Sequence, residues 1–343
     1  MKLKAFQSYL KKEKINSAIF TEKDINLTYF TQVKPSFSYL FISPKKVTLY
    51  ITQLDKKPRL KDISVEFLDK NWKKKLNKNT KKIGLNYASI TVAGQKKLKK
   101  LFPKAKFVDI SKKLVELRET KTVNECKCIM KACQITDYAF SELIKKIRNL
   151  KTEQEVADFL EKKIKEKNGE LAFPTIAAMG KNAVIPHHQT SQQKLKRGFL
   201  LLDFGAKYKN YCADMSRTIF LGTPNKNEIE MYNLLLGVQK GAIKEVKAGK
   251  KLFELDKFAR KQLGKYSSYF IHSLGHGLGL DVHEMPSYIK DNTQKIRPGQ
   301  VFTIEPGIYF PGKFGIRIED TILFDGKVKI LTKSRKELIK VNI

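Results

Sequence analysis

The amino-acid sequence predicts a two-domain protein of the mixed α/β (α+β) class. The chain has 343 residues, whereas one domain usually holds about 100–200. Residues 1–118 alternate short β-rich runs with helical patterns, and residues 119–343 place apolar strands after two long helical patterns. We therefore expect a small N-terminal α/β domain at 1–118 and a larger second domain at 119–343.

The pattern of the first domain predicts strands and helices in alternation. Strands are expected at residues 17–20, 27–30, 39–43, 47–52 and 83–87. Helices are expected at residues 3–14, 90–101 and 111–117. This domain contains no histidine and its few acidic residues are scattered, so we expect the chemistry in the second domain.

Two helices are predicted at the start of the second domain. Apolar residues recur with helical period between residues 122 and 150, and a second helix is expected at 152–167. Thr152 and Glu155 have the spacing of a capping box at the start of that second helix. The C-x-C-x4-C cysteines of the first helix cannot easily surround a tetrahedral zinc ion, so we expect free thiols.

Composition and hydropathy exclude several classes of protein. No apolar run approaches the roughly 18 residues of a membrane span, and the first residues lack the apolar region of a signal peptide. Four cysteines in a chain of this length do not form a disulfide framework. These features predict a protein of the reduced cytoplasm with no membrane partner.

The net charge of +34 is concentrated in the first domain. Residues 1–118 carry 29 Lys and Arg against 9 Asp and Glu, a net charge of +20, and the rest carry 39 against 25. Such a surface could attract nucleic acid, but its lysine runs lack the interleaved aromatic residues that stack on bases. We favour solvated lysines and keep nucleic-acid binding as the alternative, which salt-dependent retention on DNA would test.

Acidic residues in apolar strands give the strongest signal for chemistry. Asp203, Glu305 and Glu319 each follow or interrupt an apolar run, where an unpaired carboxylate costs several kcal/mol. Glu305 and Glu319 lie equally far from Gly312, in a predicted turn. Asp203 and Asp214 are likewise centred between residues 208 and 209.

Two hairpins with these centres would make each acidic pair direct cross-strand partners. Such partners lie about 4.5–5.5 Å apart, so two pairs of like charges call for a cation between them. His276 stands between Gly275 and Gly277, which permit close approach of a ligand. One imidazole with four carboxylates suits Mn²⁺ or Mg²⁺ and admits Co²⁺, Fe²⁺ or Zn²⁺. Five such ligands predict a two-metal hydrolytic site.

Four segments of the second domain carry a resemblance to a known family. They are PTIAAMGKNAVIPHH (174–188), LLLDFGAKYKNYCADMSRTIF (200–220), HSLGHGLGLDVHE (272–284) and FTIEPGIYFPGKFGIRIEDT (302–321). The chain resembles the Xaa-Pro peptidases of the pita-bread metallopeptidase family, which includes aminopeptidase P and prolidase. The resemblance implies a curved antiparallel sheet covered by helices, preceded by a creatinase-like N-terminal domain.

The resemblance also implies roles for individual residues. Two divalent metal ions, Mn²⁺ by preference, would be held by Asp203, Asp214, His276, Glu305 and Glu319. In the family pattern Asp214 and Glu319 bridge the ions, Asp203 completes one site, and His276 with Glu305 completes the other.

The family pattern also implies the residues that act on the substrate. Glu305 would exchange a proton with the nucleophilic water. His187 and His283 would hold the scissile carbonyl and stabilise the tetrahedral intermediate. Arg317 would support the site by pairing with an acid, for which we expect Asp214. His188 and His272 are interpreted as structural.

The substrate class follows from the same comparison. Relatives such as creatinase that are not peptidases lose metal ligands, whereas this chain keeps all five. Methionine aminopeptidases share the ligand set but lack the N-terminal domain. The resemblance therefore implies an enzyme that cleaves peptides with proline at the second position, usually as a homodimer.

One departure from the family pattern bears on peptide length. Prolidases often carry an arginine after the HE-x-P segment, where it can clamp a dipeptide carboxylate. Here Ser287 occupies that position. We therefore predict an Xaa-Pro aminopeptidase. A prolidase anchored by Lys290 or by a residue of a partner subunit is the alternative.

Overall fold

The protein is described by a computed structural model that covers residues 2–77, 79–288 and 294–342. The chain forms two compact units, Met1–Arg118 and Glu119–Ile343. Within the described ranges, no helix is both long enough and apolar enough to cross a lipid bilayer.

The first unit is a mixed α/β domain. Its helices are α1 (Lys2–Lys12), α2 (Ile25–Thr31), α3 (Val92–Leu101) and α4 (Ser111–Glu119). Its strands are β1 (Ser17–Thr21), β2 (Ser38–Ile42), β3 (Val47–Ile51), β4 (Ser64–Phe67), β5 (Lys82–Leu85) and β6 (Lys106–Asp109). They form one sheet in the order β4-β3-β2-β1-β5-β6, with antiparallel pairs only at β1–β2 and β2–β3.

The strand predicted at residues 27–30 is wrong, because this segment belongs to helix α2. The Asp24 side chain accepts a hydrogen bond from the Asn26 backbone N–H and so caps the helix start. Gln32 ends the helix in the left-handed conformation, with a φ of 60°. The capping aspartate outweighs the β propensity of the aromatic residues that follow it.

The second unit contains four longer helices and fourteen strands among its described residues. The helices are α5 (Val123–Lys146), α6 (Glu153–Glu166), α7 (Lys226–Lys244) and α8 (Leu252–Leu263). The first strands are β7 (Glu170–Leu171), β8 (Ile176–Met179), β9 (Gly198–Phe204), β10 (Ala206–Tyr208), β11 (Tyr211–Cys212), β12 (Met215–Leu221) and β13 (His276–Gly277). The remaining strands are β14 (Glu284–Ser287), β15 (Gln300–Ile304), β16 (Gly307–Phe310), β17 (Phe314–Arg317), β18 (Asp320–Phe324), β19 (Val328–Ile330) and β20 (Lys340–Val341).

Two larger sheets form the framework of the second unit. One has the strand order β20-β12-β9-β8 and the other has the order β14-β13-β15-β18-β19. Residues of α5 and α6 share a core with β8, β9 and β12, whereas residues of α7 and α8 share a core with β15 and β18. Each large sheet is therefore covered by a pair of helices.

Helices α5 and α6 begin where the sequence predicts, but the complete capping box lies at the start of α5 and not of α6. Thr152 caps α6 by accepting a hydrogen bond from Glu155 N–H, but the Glu155 carboxylate accepts from Lys151 N–H, so the reciprocal box is incomplete. A complete capping box forms instead at the start of α5, between Thr122 and Glu125.

The predicted pairing of Asp203 with Asp214 is wrong. The partner of Asp203 across the β9–β12 ladder is Ser216, and Asp214 lies one residue before β12. The turn of this hairpin contains Lys209 and Asn210, whose φ angles are 47° and 71°. A two-residue turn with two positive φ angles matches the twist of the strands. It places the centre of the hairpin between residues 209 and 210, one residue later than predicted.

The register predicted for Glu305 and Glu319 is confirmed. The β15–β18 ladder and the β16–β17 ladder both follow the register centred on Gly312. Glu305 and Glu319 stand opposite each other in the short gap between these two ladders. Gly312 has a φ of 72°, which a glycine adopts without strain.

Candidate metal and peptide site

All the site residues predicted from the sequence line one cavity of about 910 Å³ in the second unit. Its wall includes Asp203, Asp214, His276, Glu305, Glu319, Arg317, His187 and His283. His188 and His272 line it as well, so every histidine of the chain contributes to this cavity.

The acidic residues and His276 form a compact cluster. His276 Nε2 lies 3.5 Å from Asp214 Oδ2 and 3.3 Å from Glu305 Oε1. Asp214, His276 and Glu319 each offer one ligand atom within 4.8 Å of the other two. Asp214 and Glu319 are almost completely buried, so their charges are concentrated in a region of poor solvation.

Strand termini bring these side chains together. Asp203 belongs to β9, His276 begins β13, and Glu305 follows the last residue of β15. The Thr303 hydroxyl accepts a hydrogen bond from His276 N–H at 3.1 Å and donates one to Glu305 Oε1 at 3.1 Å. Thr303 therefore fixes the relative placement of two cluster members from neighbouring strands.

The glycines beside His276 permit close contact between strands. A Cβ atom on Gly275 would lie 2.3 Å from the Thr303 carbonyl oxygen, and one on Gly277 would lie 2.4 Å from the Met285 carbonyl carbon. Any side chain at either position would force these strands apart. Both glycines are thus required for the position of His276.

The carboxylates of the cluster have unused capacity to bind a cation. Asp203 Oδ1, Asp214 Oδ1 and Glu319 Oε1 are buried and have no hydrogen-bond partner among residues 2–77, 79–288 and 294–342. Burial, followed by the charges of Asp203 and Glu305, raises the pKa of Asp214 well above its usual range. Burial, followed by Asp214 and Glu305, does the same to the pKa of Glu319. A divalent cation would satisfy both the open oxygens and the repelling charges.

Arg317 contacts the cluster differently from the prediction. Its ion pair is with Asp203, at 2.5 Å from Nη2 to Oδ2, so the expected pairing with Asp214 is wrong. Arg317 Nε donates to the Ser216 hydroxyl at 2.8 Å, and Nη1 donates to the Tyr309 hydroxyl at 2.8 Å. The register that places Ser216 opposite Asp203 explains this arrangement.

The two histidines predicted to contact substrate, His187 and His283, are both exposed and both line the cavity. The His283 ring meets the His276 ring edge to face, with 4.2 Å between centroids. Partial burial of the ring, followed by the His276 charge, lowers the pKa of His283. His187 is exposed in the segment after Pro186, whose carbonyl oxygen accepts weak hydrogen bonds from Arg317 at 3.4 and 3.5 Å.

Sequence reasoning missed several residues that support the site. Ser216, Thr303 and Tyr309 carry neutral side chains whose importance depends on packing, so no pattern identifies them. His272, interpreted as structural, lies 2.8 Å from the Tyr309 hydroxyl through Nε2 and lines the cavity. The occurrence of every histidine in one domain was the available signal for His272.

The family of the protein follows from comparison with known sequences and structures. Residues 127–325 match metallopeptidase family M24, and residues 2–120 match the creatinase/prolidase N-terminal domain. The chain belongs to the M24 metallopeptidase family. The family assignment and the mixed α/β architecture with a creatinase-like N-terminal domain and a pita-bread second domain are confirmed.

Individual relatives are similar over nearly their whole length. A Xaa-Pro dipeptidase of Pyrococcus furiosus is 36% identical over 94% of this chain and 94% of that protein. The prolidase structure from Pyrococcus horikoshii superposes with a TM-score of 0.90, 36% identity and coverage of 98% and 99%. An X-Pro aminopeptidase structure from Thermotoga maritima gives a TM-score of 0.89, 31% identity and coverage of 96% and 98%.

Proposed function

We propose that the protein is a dinuclear-metal peptidase that hydrolyses the bond before proline, with Xaa-Pro dipeptides as its preferred substrates. The observation that carries this proposal is the set of three buried carboxylate oxygens that open onto one cavity beside His276. The preference for dipeptides is supported by the similarity to the P. furiosus Xaa-Pro dipeptidase and the P. horikoshii prolidase.

An Xaa-Pro aminopeptidase is the second candidate. Ser287 occupies the position where prolidases often carry an arginine, and its backbone pairs with that of His276. The TM-score with the T. maritima X-Pro aminopeptidase, 0.89, is close to the 0.90 found with the P. horikoshii prolidase. Lys290, the alternative anchor for a dipeptide carboxylate, lies outside the described residues.

The donor set fits two divalent cations. Asp203, Asp214, His276, Glu305 and Glu319 would hold them. The excess of oxygen donors favours Mn²⁺, while the imidazole admits Co²⁺, Fe²⁺ or Zn²⁺. Bound there, the ions would lower the pKa of a water molecule and polarise the scissile carbonyl.

The remaining residues of the cavity act on protons and on the substrate. Glu305, held by Thr303, receives a proton from the attacking water and returns it to the leaving proline nitrogen. His187 and His283 donate hydrogen bonds to the carbonyl oxygen as negative charge develops on it. Arg317 fixes the orientation of Asp203 through their ion pair.

We further propose that the enzyme acts in the cytoplasm as a homodimer. The four cysteines are free thiols, which suits a reducing compartment. The dimer rests on the family resemblance, and light scattering of the purified protein would test it.

Cleavage of matched substrates tests the proposed function. Protein loaded with Mn²⁺ should cleave Ala-Pro faster than Ala-Pro-Ala, and a chelated sample should cleave neither. Faster cleavage of the tripeptide would make the protein an aminopeptidase and would give Ser287 its predicted significance. Failure to cleave either peptide with any divalent metal would refute the peptidase assignment.

A further inference from the structure

The segment that carries His187 has an alternating pattern of exposure. Ile185, His187 and Gln189 are exposed, whereas the residues between them are partly buried. His188 N–H donates to the Ile185 carbonyl oxygen at 3.0 Å, which closes a four-residue turn. His187 is the third residue of this turn and follows Pro186, which is favoured at the second position. The direction of the His187 side chain therefore depends on the anchoring of the turn.

The partly buried residues attach this segment to the domain. The Thr190 hydroxyl accepts from Ala177 N–H at 2.9 Å and donates to the Thr175 carbonyl oxygen at 2.9 Å. The Pro186 carbonyl oxygen accepts long contacts from Arg317, at 3.4 and 3.5 Å. The His188 side chain also attaches the turn to the domain, through a shorter contact of 3.0 Å.

The anchor of His188 is Glu153, the first residue of α6. His188 Nε2 lies 3.0 Å from Glu153 Oε2, and the Glu153 side chain is 0% exposed. The same carboxylate accepts from Met179 N–H at 2.6 Å and from Asn182 Nδ2 at 2.9 Å. It also accepts from the backbone and hydroxyl of Ser191, at 3.2 and 2.7 Å.

These contacts determine the ionisation of Glu153 and the direction of its bond with His188. Burial raises the pKa of Glu153, but the donors from Met179, Ser191, Asn182 and His188 outweigh it and leave the pKa below its usual value. An ionised carboxylate can only accept, so the Nε2 of His188 carries the proton and donates it. Glu153 thus fixes one nitrogen of the ring as a donor and, with it, the orientation of the ring.

We propose that Glu153 and His188 are positioning residues that hold the turn so that the neighbouring His187 faces the substrate. The proposal rests on the proposed function, in which His187 contacts the scissile carbonyl. His188 contacts no substrate atom in this account and acts only through the backbone of His187. Its loss should therefore displace His187 without affecting the metal cluster.

A double-mutant cycle tests this proposal with the full-length, Mn²⁺-loaded protein. His188→Ala should lower kcat/KM for Ala-Pro on the order of 10²-fold, since displacing a catalytic group by about 1 Å costs this much. The loss should appear mainly in kcat, because His187 acts on the transition state. In a His187→Ala background, the same substitution should change kcat/KM by less than about twofold.

Two further variants control the cycle. Asn182→Ala removes another donor to Glu153, through the opposite carboxylate oxygen, and should leave kcat/KM within about twofold of the original. His188→Gln keeps an N–H donor within reach of Glu153 and should recover part of the activity. The Mn²⁺ affinity should be unchanged in all of these variants.

The outcomes distinguish a failure of the positioning role from a failure of the proposed function. Equal losses from His188→Ala in both backgrounds, or no loss in either, would overturn the positioning role and leave the proposed function intact. Full activity of His187→Ala would overturn the role of His187 and the positioning role together. Absence of metal-dependent hydrolysis in the unmodified protein would instead refute the proposed function itself.

Discussion

The Ser216 hydroxyl lies 2.8 Å from Oε2 of Glu319. The same hydroxyl receives a hydrogen bond from Nε of Arg317, which can only donate, so the Ser216 proton points to Glu319. One Glu319 oxygen is thereby occupied, and the other, Oε1, is left open toward the cluster. A neutral serine thus sets which oxygen of a buried acid is available to a metal ion.

Removal of this hydroxyl should weaken metal binding. Ser216→Ala is expected to lower Mn²⁺ affinity about 10–100-fold, because residues that orient metal ligands have effects of this size. Competition with a fluorescent chelator measures the change. Ser141→Ala, which removes a hydroxyl bonded to the Tyr138 carbonyl oxygen on the exposed face of α5, should have no effect. Equal affinities for Ser216→Ala and the unmodified protein would contradict the orienting role.

A buried ion pair lies beside His283 and should contribute to stability. Lys121 Nζ is 2.7 Å from Glu284 Oε1, and these side chains are 1% and 8% exposed. Lys121→Met should cost about 3–5 kcal/mol of unfolding free energy, because it removes the Lys121 cation from beside a buried carboxylate. Adding Glu284→Gln should recover part of this loss. Denaturant titration of the two variants measures both effects.

The matched control for that substitution is Lys145→Met. Lys145 pairs with Glu142 at 2.6 Å, but its side chain is 71% exposed, so the cost should be below about 1 kcal/mol. Similar costs at the two lysines would show that burial of the Lys121 pair has no energetic consequence.

The ionised Glu153 should make stability depend on pH. Its folded pKa lies below the unfolded value of about 4.3, so its contribution is complete above that pH and disappears as pH falls through the folded pKa. Glu153→Gln should lower Tm at pH 7, and the difference from the unmodified protein should shrink toward pH 3. Glu170→Gln, at an exposed residue of β7, serves as control. A difference in Tm that stays constant with pH would contradict this linkage.

The two acidic hairpins show what sequence patterns can establish here. Gly312 within a Pro-Gly turn predicted the register of Glu305 and Glu319 correctly, because the turn centre was unambiguous. The other turn offered only Lys207, Tyr208, Lys209 and Asn210, and the symmetry of the two aspartates suggested the wrong centre. Both aspartates nevertheless line the same cavity. Asp203 was identified from the apolar run before it, whereas Asp214 was identified only from its symmetry with Asp203.

The residues that support the site could not be predicted from the sequence, because their roles depend on tertiary packing. Ser216 matters because the ladder places it opposite Asp203 and because Arg317 approaches from another sheet. Glu153 is one of many acids at helix starts. Only its packing against residues 179–191 reveals the five hydrogen bonds that its carboxylate makes within the described part of the chain. Helix α2 was missed because one capping aspartate outweighed a β-prone composition.

The central claim is that the acidic cluster holds two divalent metal ions that the protein uses to hydrolyse Xaa-Pro bonds. Calorimetric titration with Mn²⁺, followed by an Ala-Pro hydrolysis assay on the same sample, tests it most directly in the unmodified protein and in Asp214→Asn. We predict two Mn²⁺ per unmodified chain, and impaired binding with only background hydrolysis in the variant. Full metal binding and full hydrolysis by Asp214→Asn would contradict the account.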